Sequence, residues 1–134
     1  MSDTVREIFV KNLRYFMEAK GISQADICRE LNVSSATVSD WCNGKKHPRV
    51  DKMQRLAELL GVRFSSLTSE SGVKDFEDQQ RLELLHQKPQ ICTLIDVSRD
   101  LPEEDVDFMI QYAERIRRQL DLPEIKKDTV VSAG

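Results

Sequence analysis

The stretch Gln24–Asn43 (QADICRELNVSSATVSDWCN) limits what this chain can fold into more than any other. Its apolar residues Ile27, Leu31, Val33, Val38 and Trp41 fall at helical steps in two groups. Ile27 and Leu31 are four apart and share one helix face, while Val38 and Trp41 are three apart and share another. Asn32 stands between the groups, and asparagine is among the few residues besides glycine that accept the positive φ of a tight turn. Ser23 and Ser34 precede the two segments, where a hydroxyl can accept the free N–H groups of a first helical turn. Asp26 follows Ser23 by three, close to a capping box. Two capped helices too short to stand alone, each with one apolar face, predict a helix-turn-helix.

The outward side of the second helix is informative. At about 100° per residue, Ser35, Ala36, Ser39, Asp40 and Asn43 fall on one side and Val38, Trp41 and Cys42 point away. The outer side is small and polar, without the long Lys/Glu pairs of a helix that is merely solvated. Short hydroxyl and carboxylate side chains let a helix sit deep in a major groove and hydrogen-bond base edges. The plain alternative is a solvent-exposed helix of an ordinary bundle. Agreement between turn, caps and apolar spacing favours the groove-reading helix.

The segment Leu13–Leu67, with LRYFMEAKGISQADI and then LNVSSATVSDWCNGKKHPRVDKMQRLAELLGV, resembles the phage-repressor and Cro-like helix-turn-helix family, also called the xenobiotic-response-element type. The likeness covers about two fifths of the chain. It implies a five-helix domain that binds a double-stranded DNA operator. It also implies phosphate contact by Gln24, base contact by Ser35, Ala36 and Asp40, and a place by the groove wall, among the base-reading residues, for Thr37 and Ser39. Asn43 and Lys45 match loop positions that grip phosphates. The chain also departs from the pattern. Cys28 stands where alanine is usual, and Asn32 replaces the turn glycine. Met17 and Cys42 occupy the places of an arginine and a glutamate that pair in many members. Both have become apolar together, as expected if packing replaces a buried ion pair.

The remaining chain reads as further helices. The first is expected to start at Thr4, with Glu7 as capping-box partner, and to stop at Gly21. After the second helix, Asn43-Gly44-Lys45-Lys46-His47-Pro48-Arg49 is a loop ended by proline. Its place beside the recognition helix makes Lys45, Lys46 and Arg49 candidate phosphate contacts. A fourth helix spans Val50–Leu60 and Gly61 ends it; Val62–Leu67 is a short fifth. Residues 1–68 therefore form the expected DNA-binding domain. Polar residues 69–74 are the expected linker, 75–121 a helical oligomerisation region, and 122–134 a disordered tail. Charge supports two jobs in two halves. Residues 1–68 hold eleven Lys/Arg against eight Asp/Glu, whereas 69–134 hold nine against fifteen, which DNA would repel.

Beyond the linker, Phe76–Gln87 and Gln90–Arg99 are candidate helices, separated by Pro89. Leu101-Pro102-Glu103-Glu104-Asp105 opens the longest, with proline and acids in the first turn. Within it Val106, Met109, Ala113, Ile116 and Leu120, joined by Ile110, form a heptad-like seam. The seam could be intramolecular core, but so short a region encloses little core alone, so a helical dimer interface is favoured.

Catalysis is not expected. There is no glycine-rich phosphate loop, no metal-ligand spacing and no nucleophile–base pairing among two histidines and three scattered cysteines. No metal or cofactor is called for. An odd cysteine count without metal spacing fits reduced thiols in the cytosol, and no apolar run reaches membrane-spanning length. The expectation is an all-α, cytoplasmic, nucleoid-associated repressor of the prophage-immunity kind. It binds a two-fold operator as a homodimer or higher oligomer, with room for a protein antirepressor as partner. Alternatives are an antitoxin-type autoregulator, or an adaptor that binds proteins through its acidic C-terminal helices.

Overall fold

The computed structural model describes residues 3–125, and every regular element among them is a helix. In chain order these are α1 (Asp3–Lys20), α2 (Gln24–Leu31), α3 (Ser35–Cys42), α4 (Val50–Leu60), α5 (Phe64–Thr68), α6 (Gly72–Gln87), α7 (Gln90–Ser98) and α8 (Glu103–Gln119). The all-α reading, a five-helix domain followed by further helices, is what the described residues form.

Local chemistry sets the boundaries. Ser23 caps α2, its Oγ accepting from Asp26 N–H at 3.1 Å while the Asp26 carboxylate accepts from Ser23 N–H at 2.9 Å, so the capping box closes. Asn32 ends α2 in the left-handed region at φ 54°, as the turn requires. Ser34 caps α3 by accepting from Thr37 N–H at 3.1 Å. Gly61 ends α4 at φ 67°.

Helix α6 starts at Gly72 rather than Phe76 and α7 ends at Ser98 rather than Arg99, and two boundaries among the first five helices also differ from expectation. Helix α1 already includes Asp3, so Thr4 lies within its first turn and is not the cap. Helix α5 starts at Phe64 rather than Val62, because Val62 N–H is used to close α4 by donating to Ala57 O at 3.0 Å.

One apolar core ties α1 to α5 together. Phe9, Leu13 and Phe16 of α1 meet Ile27 and Leu31 of α2, Val38 and Trp41 of α3, Met53, Leu56 and Leu60 of α4, and Leu67 of α5. Val73 and Phe76 of α6 pack on the same cluster, with the Phe76 ring edge-on to Phe16 at 5.1 Å between centroids. Asn12 is a buried polar residue of α1 at 1% exposure; its Nδ2 donates to Leu67 O at 3.2 Å and Ser69 O at 2.8 Å.

The polar run 69–74 therefore holds a tight corner rather than a free linker. Ser69 and Ser71 hydroxyls bond each other and Ser71 bonds Asp75, so polar composition serves the turn itself. The unit containing the N-terminus extends to Leu84, and a second begins at Leu85. In the second unit neither α7 nor α8 has a buried residue. Helix α8 opens with Glu103, Glu104 and Asp105, closes with Arg117 and Arg118, and is followed by Asp121 at φ 56°. Residues 122–125 have no regular structure; the rest of the expected disordered tail, 126–134, lies outside the described residues.

Candidate nucleic-acid interface

Helix α3 is held by one side only. Val38, Trp41 and Cys42 are 0%, 4% and 3% exposed in the core. On the other side Ser35 and Ala36 are exposed, and Thr37, Ser39 and Asp40 are half-buried. Thr37 is tied to the cap, its Oγ1 lying 2.8 Å from Ser34 Oγ, so its methyl rather than its hydroxyl is the freer group. The helix thus presents a low rim of short polar side chains, the shape a groove-inserted helix needs.

The following loop is pinned to α3 by its backbone. Asp40 O accepts both Lys45 N–H at 2.9 Å and Lys46 N–H at 3.3 Å, and Gly44 takes φ 75° to make that possible. This fixes Lys45 and Lys46 beside the end of α3 with exposed side chains, and Arg49 is exposed at the head of α4. Lys46 Nζ also reaches the Asp40 carboxylate at 3.7 Å, a mostly solvated pair of little stabilising value. His47 turns inward. Its ring meets Phe9 edge-on at 5.1 Å, and burial with nearby Arg6 holds its pKa below the ordinary value, which favours the neutral form. The loop therefore offers lysines and an arginine, and the histidine serves packing.

Asn43 carries more structure than a phosphate contact requires. Arg14 Nη2 donates to Asn43 Oδ1 at 3.0 Å, Arg14 Nε donates to Cys42 O at 2.8 Å, and Asn43 Nδ2 donates to Ser39 Oγ at 3.2 Å. Arginine only donates, so the atom it faces must be the amide oxygen, and this settles which way the amide points. Both ends of the Asn43 amide are thus engaged within the protein. Gln24, exposed at the head of α2, lines a shallow cavity with Arg14, Met17 and Cys42. A second cavity beside it joins Arg14, Asn43 and Gly44 to Arg6 and Lys11 of α1. Gln24, Asn43 and the loop are thus linked through Arg14.

Sequence reading did not single out Arg6, Lys11 or Arg14 of α1. The available signal was spacing, since Arg14 lies three before Met17 and so shares its side of α1. Met17 Sδ and Cys42 Sγ meet at 3.8 Å, with Cys42 buried and Met17 half-buried. The arginine–glutamate pair of the resemblance is replaced here by a sulfur contact. Arg14, one turn away, supplies the polar tie between α1 and the end of α3. Burial raises the Cys42 thiol pKa, with Arg14 opposing in part, so it remains a protonated packing group.

The second group of candidates lies in the other unit. Val106 and Met109 are half-buried, and Ile110, Ala113, Ile116 and Leu120 are exposed.

A capped helix–turn–helix on a five-helix core defines the class of this domain. Residues 13–67 match the helix-turn-helix family model. Over 61 residues the chain is 38% identical to the 26 kDa repressor protein of Escherichia phage HK022, a match covering 42% of this chain and 26% of the repressor. The segment is thus similar to helix-turn-helix domains, that of a phage repressor among them. The chain spans about a quarter of the length of that curated relative. A transcriptional regulator from Listeria innocua is similar in structure at a TM-score of 0.42 and 23% identity, over 67% of this chain and 91% of that one. No helix among the described residues is long and apolar enough to cross a membrane.

Proposed function

We propose that the protein is a sequence-specific, non-enzymatic DNA-binding repressor of the prophage-immunity type, acting in the cytoplasm on a two-fold operator as an oligomer. The observation that carries this reading is α3 itself. Its apolar side is locked into the core, its other side is a rim of Ser35, Ala36, Thr37, Ser39 and Asp40, and cationic Lys45, Lys46 and Arg49 follow in a loop pinned to its end. Gln24 and Asn43 supply further donors to phosphate, and phosphate contacts set register while base contacts set sequence. The similarity to a phage repressor over this segment supports the same direction. In this reading residues 75–121 contain the oligomerisation region, which brings a second copy of α3 about one helical turn, ~34 Å, along the duplex. Repression is then steric: the bound oligomer blocks polymerase or a rival regulator.

Footprinting on the DNA that flanks its own gene tests the reading, and affinity should fall steeply with salt. Within that site Asp40 reads a base, because a carboxylate accepts from cytosine N4 and is repelled by phosphate. Asp40→Ala relaxes the preference at one base pair per half-site by about tenfold, within the 1–3 kcal/mol of a good base contact. It leaves non-specific affinity equal or higher, since Lys46 loses its competing carboxylate. Equal weakening on all sequences would remove Asp40 from the readers.

A further inference from the structure

The second unit leaves apolar surface uncovered. Leu94, Ile95 and Val97 of α7, with Ile110 and Ile116 of α8 and Leu120 at its C-cap, are each at least 38% exposed. Single exposed apolar residues are ordinary, but large apolar patches on soluble proteins mark interaction sites. The stripe on α8 has a symmetry of its own. Val106 lies seven residues before Ala113 and Leu120 seven after, while Ile110 lies three before and Ile116 three after. The charges are opposite at the two ends: Glu103, Glu104 and Asp105 in the first turn, Arg117 and Arg118 in the last. Parallel pairing of two such helices sets acid against acid and arginine against arginine. Antiparallel pairing sets each acidic end against a basic one and opposes the helix dipoles.

We propose that a second copy of this chain covers this face, α8 against α8, antiparallel, on a two-fold axis that passes beside Ala113. The proposal deepens the oligomeric part of the function proposed above and does not depend on DNA. In this arrangement Val106 meets Leu120 of the partner subunit, and Ile110 meets Ile116 of the partner subunit. Ala113 meets its own copy, small enough for the axes to approach to about 8 Å. At 1.5 Å rise per residue, Asp107 lies within about 3 Å along the axis of Arg117 of the partner subunit. A contact of this kind is isologous, so it closes as a dimer and does not propagate. A stable interface buries about 800 Å² on each partner. The stripe of one helix about 25 Å long is narrow for that, so the exposed Leu94, Ile95 and Val97 of α7 are needed to widen the contact.

The test uses the full chain with its exposed cysteine removed, Cys92→Ser, and a short bis-maleimide cross-linker. Adding Ala113→Cys gives a cross-linked dimer in high yield. Adding Val106→Cys gives almost none, because the two copies of residue 106 stand about 21 Å apart. Mixing the Val106→Cys and Leu120→Cys proteins restores the cross-link. Ile116→Asp, which places a charge in the seam, raises the dimer dissociation constant about tenfold or more in sedimentation. Efficient self-linking through Val106→Cys overturns the antiparallel arrangement while leaving an oligomer. A parent chain that sediments as a monomer at tens of micromolar overturns the interface altogether, and with it the oligomeric part of the proposed function. DNA binding is absent from every arm, so its failure is seen only in the footprint.

Discussion

Single residues decide how firmly the helix-turn-helix is built. Asp26 accepts Ser23 N–H and pairs with Arg29 at 2.7 Å, and these hydrogen bonds hold its pKa below the ordinary aspartate value of 3.8. A depressed native pKa contributes stability above the unfolded value, and that stability is lost as pH falls through the native one. Asp26→Asn therefore unfolds at lower urea than the parent at neutral pH, and the two midpoints converge in acid once the parent's Asp26 is protonated in both its folded and unfolded states. Equal separation of the midpoints at neutral and acid pH would assign the effect to shape rather than charge. This residue was legible in the sequence because a cap is a local pattern of three or four positions. The sulfur contact of Met17 with Cys42 was legible only through the family resemblance. Arg14 was missed because its partners, Cys42 O and Asn43 Oδ1, are brought to it by tertiary packing.

Helices announce themselves by periodicity, and their ends by caps, so α2, α3 and α4 could be bounded to within a residue or so from sequence. The element that misled is α6. Ser69, Ser71 and Gly72 have the composition of a linker, yet the glycine is there for proximity. A Cβ on Gly72 would stand 2.1 Å from Ser66 O, a backbone atom that cannot move alone. Gly72→Ala consequently forces α6 off the corner and loosens Val73 and Phe76 from the core. The expected cost is about 2–4 kcal/mol, the range for lost core packing, with amide exchange accelerated along α6. Gly21→Ala is the control: nothing lies within 4 Å of its Cβ, so only the positive φ of 66° is penalised, by about 1 kcal/mol. Similar losses at both positions would show that conformation, not crowding, governs Gly72.

For the whole molecule, the border between the units matters most. Polarity suggested a cut after residue 68, but the first unit runs to Leu84. Tyr15 OH donates to Glu77 Oε1 at 2.8 Å, Lys20 Nζ sits 4.8 Å over the Phe76 ring, and Asn12 needs Ser69 O. A protein ending at residue 87 should thus melt as one cooperative unit. One ending at residue 68 should melt at least about 10 °C lower, since each kcal/mol moves Tm by about 4–8 °C in a domain this small. Coincident melting curves would return the border to residue 68. Sequence could not reveal this border because contacts that join distant segments leave no short-range pattern.

The same amide has a consequence for how the chain comes into being. Asn12 is bonded to carbonyls 55 and 57 positions downstream, and it lies in the middle of the first helix. During synthesis that helix precedes its acceptors, so its buried amide is unpaired until the corner after α5 has followed it. The core of α1 to α5 can gather before then, but the Asn12 bond to Ser69 O and the Phe16 contact with Phe76 come only with residues 69 to 76. One asparagine thus ties the first helix of the domain to its last corner, so that the packing around it is finished only when the end of the domain is in place.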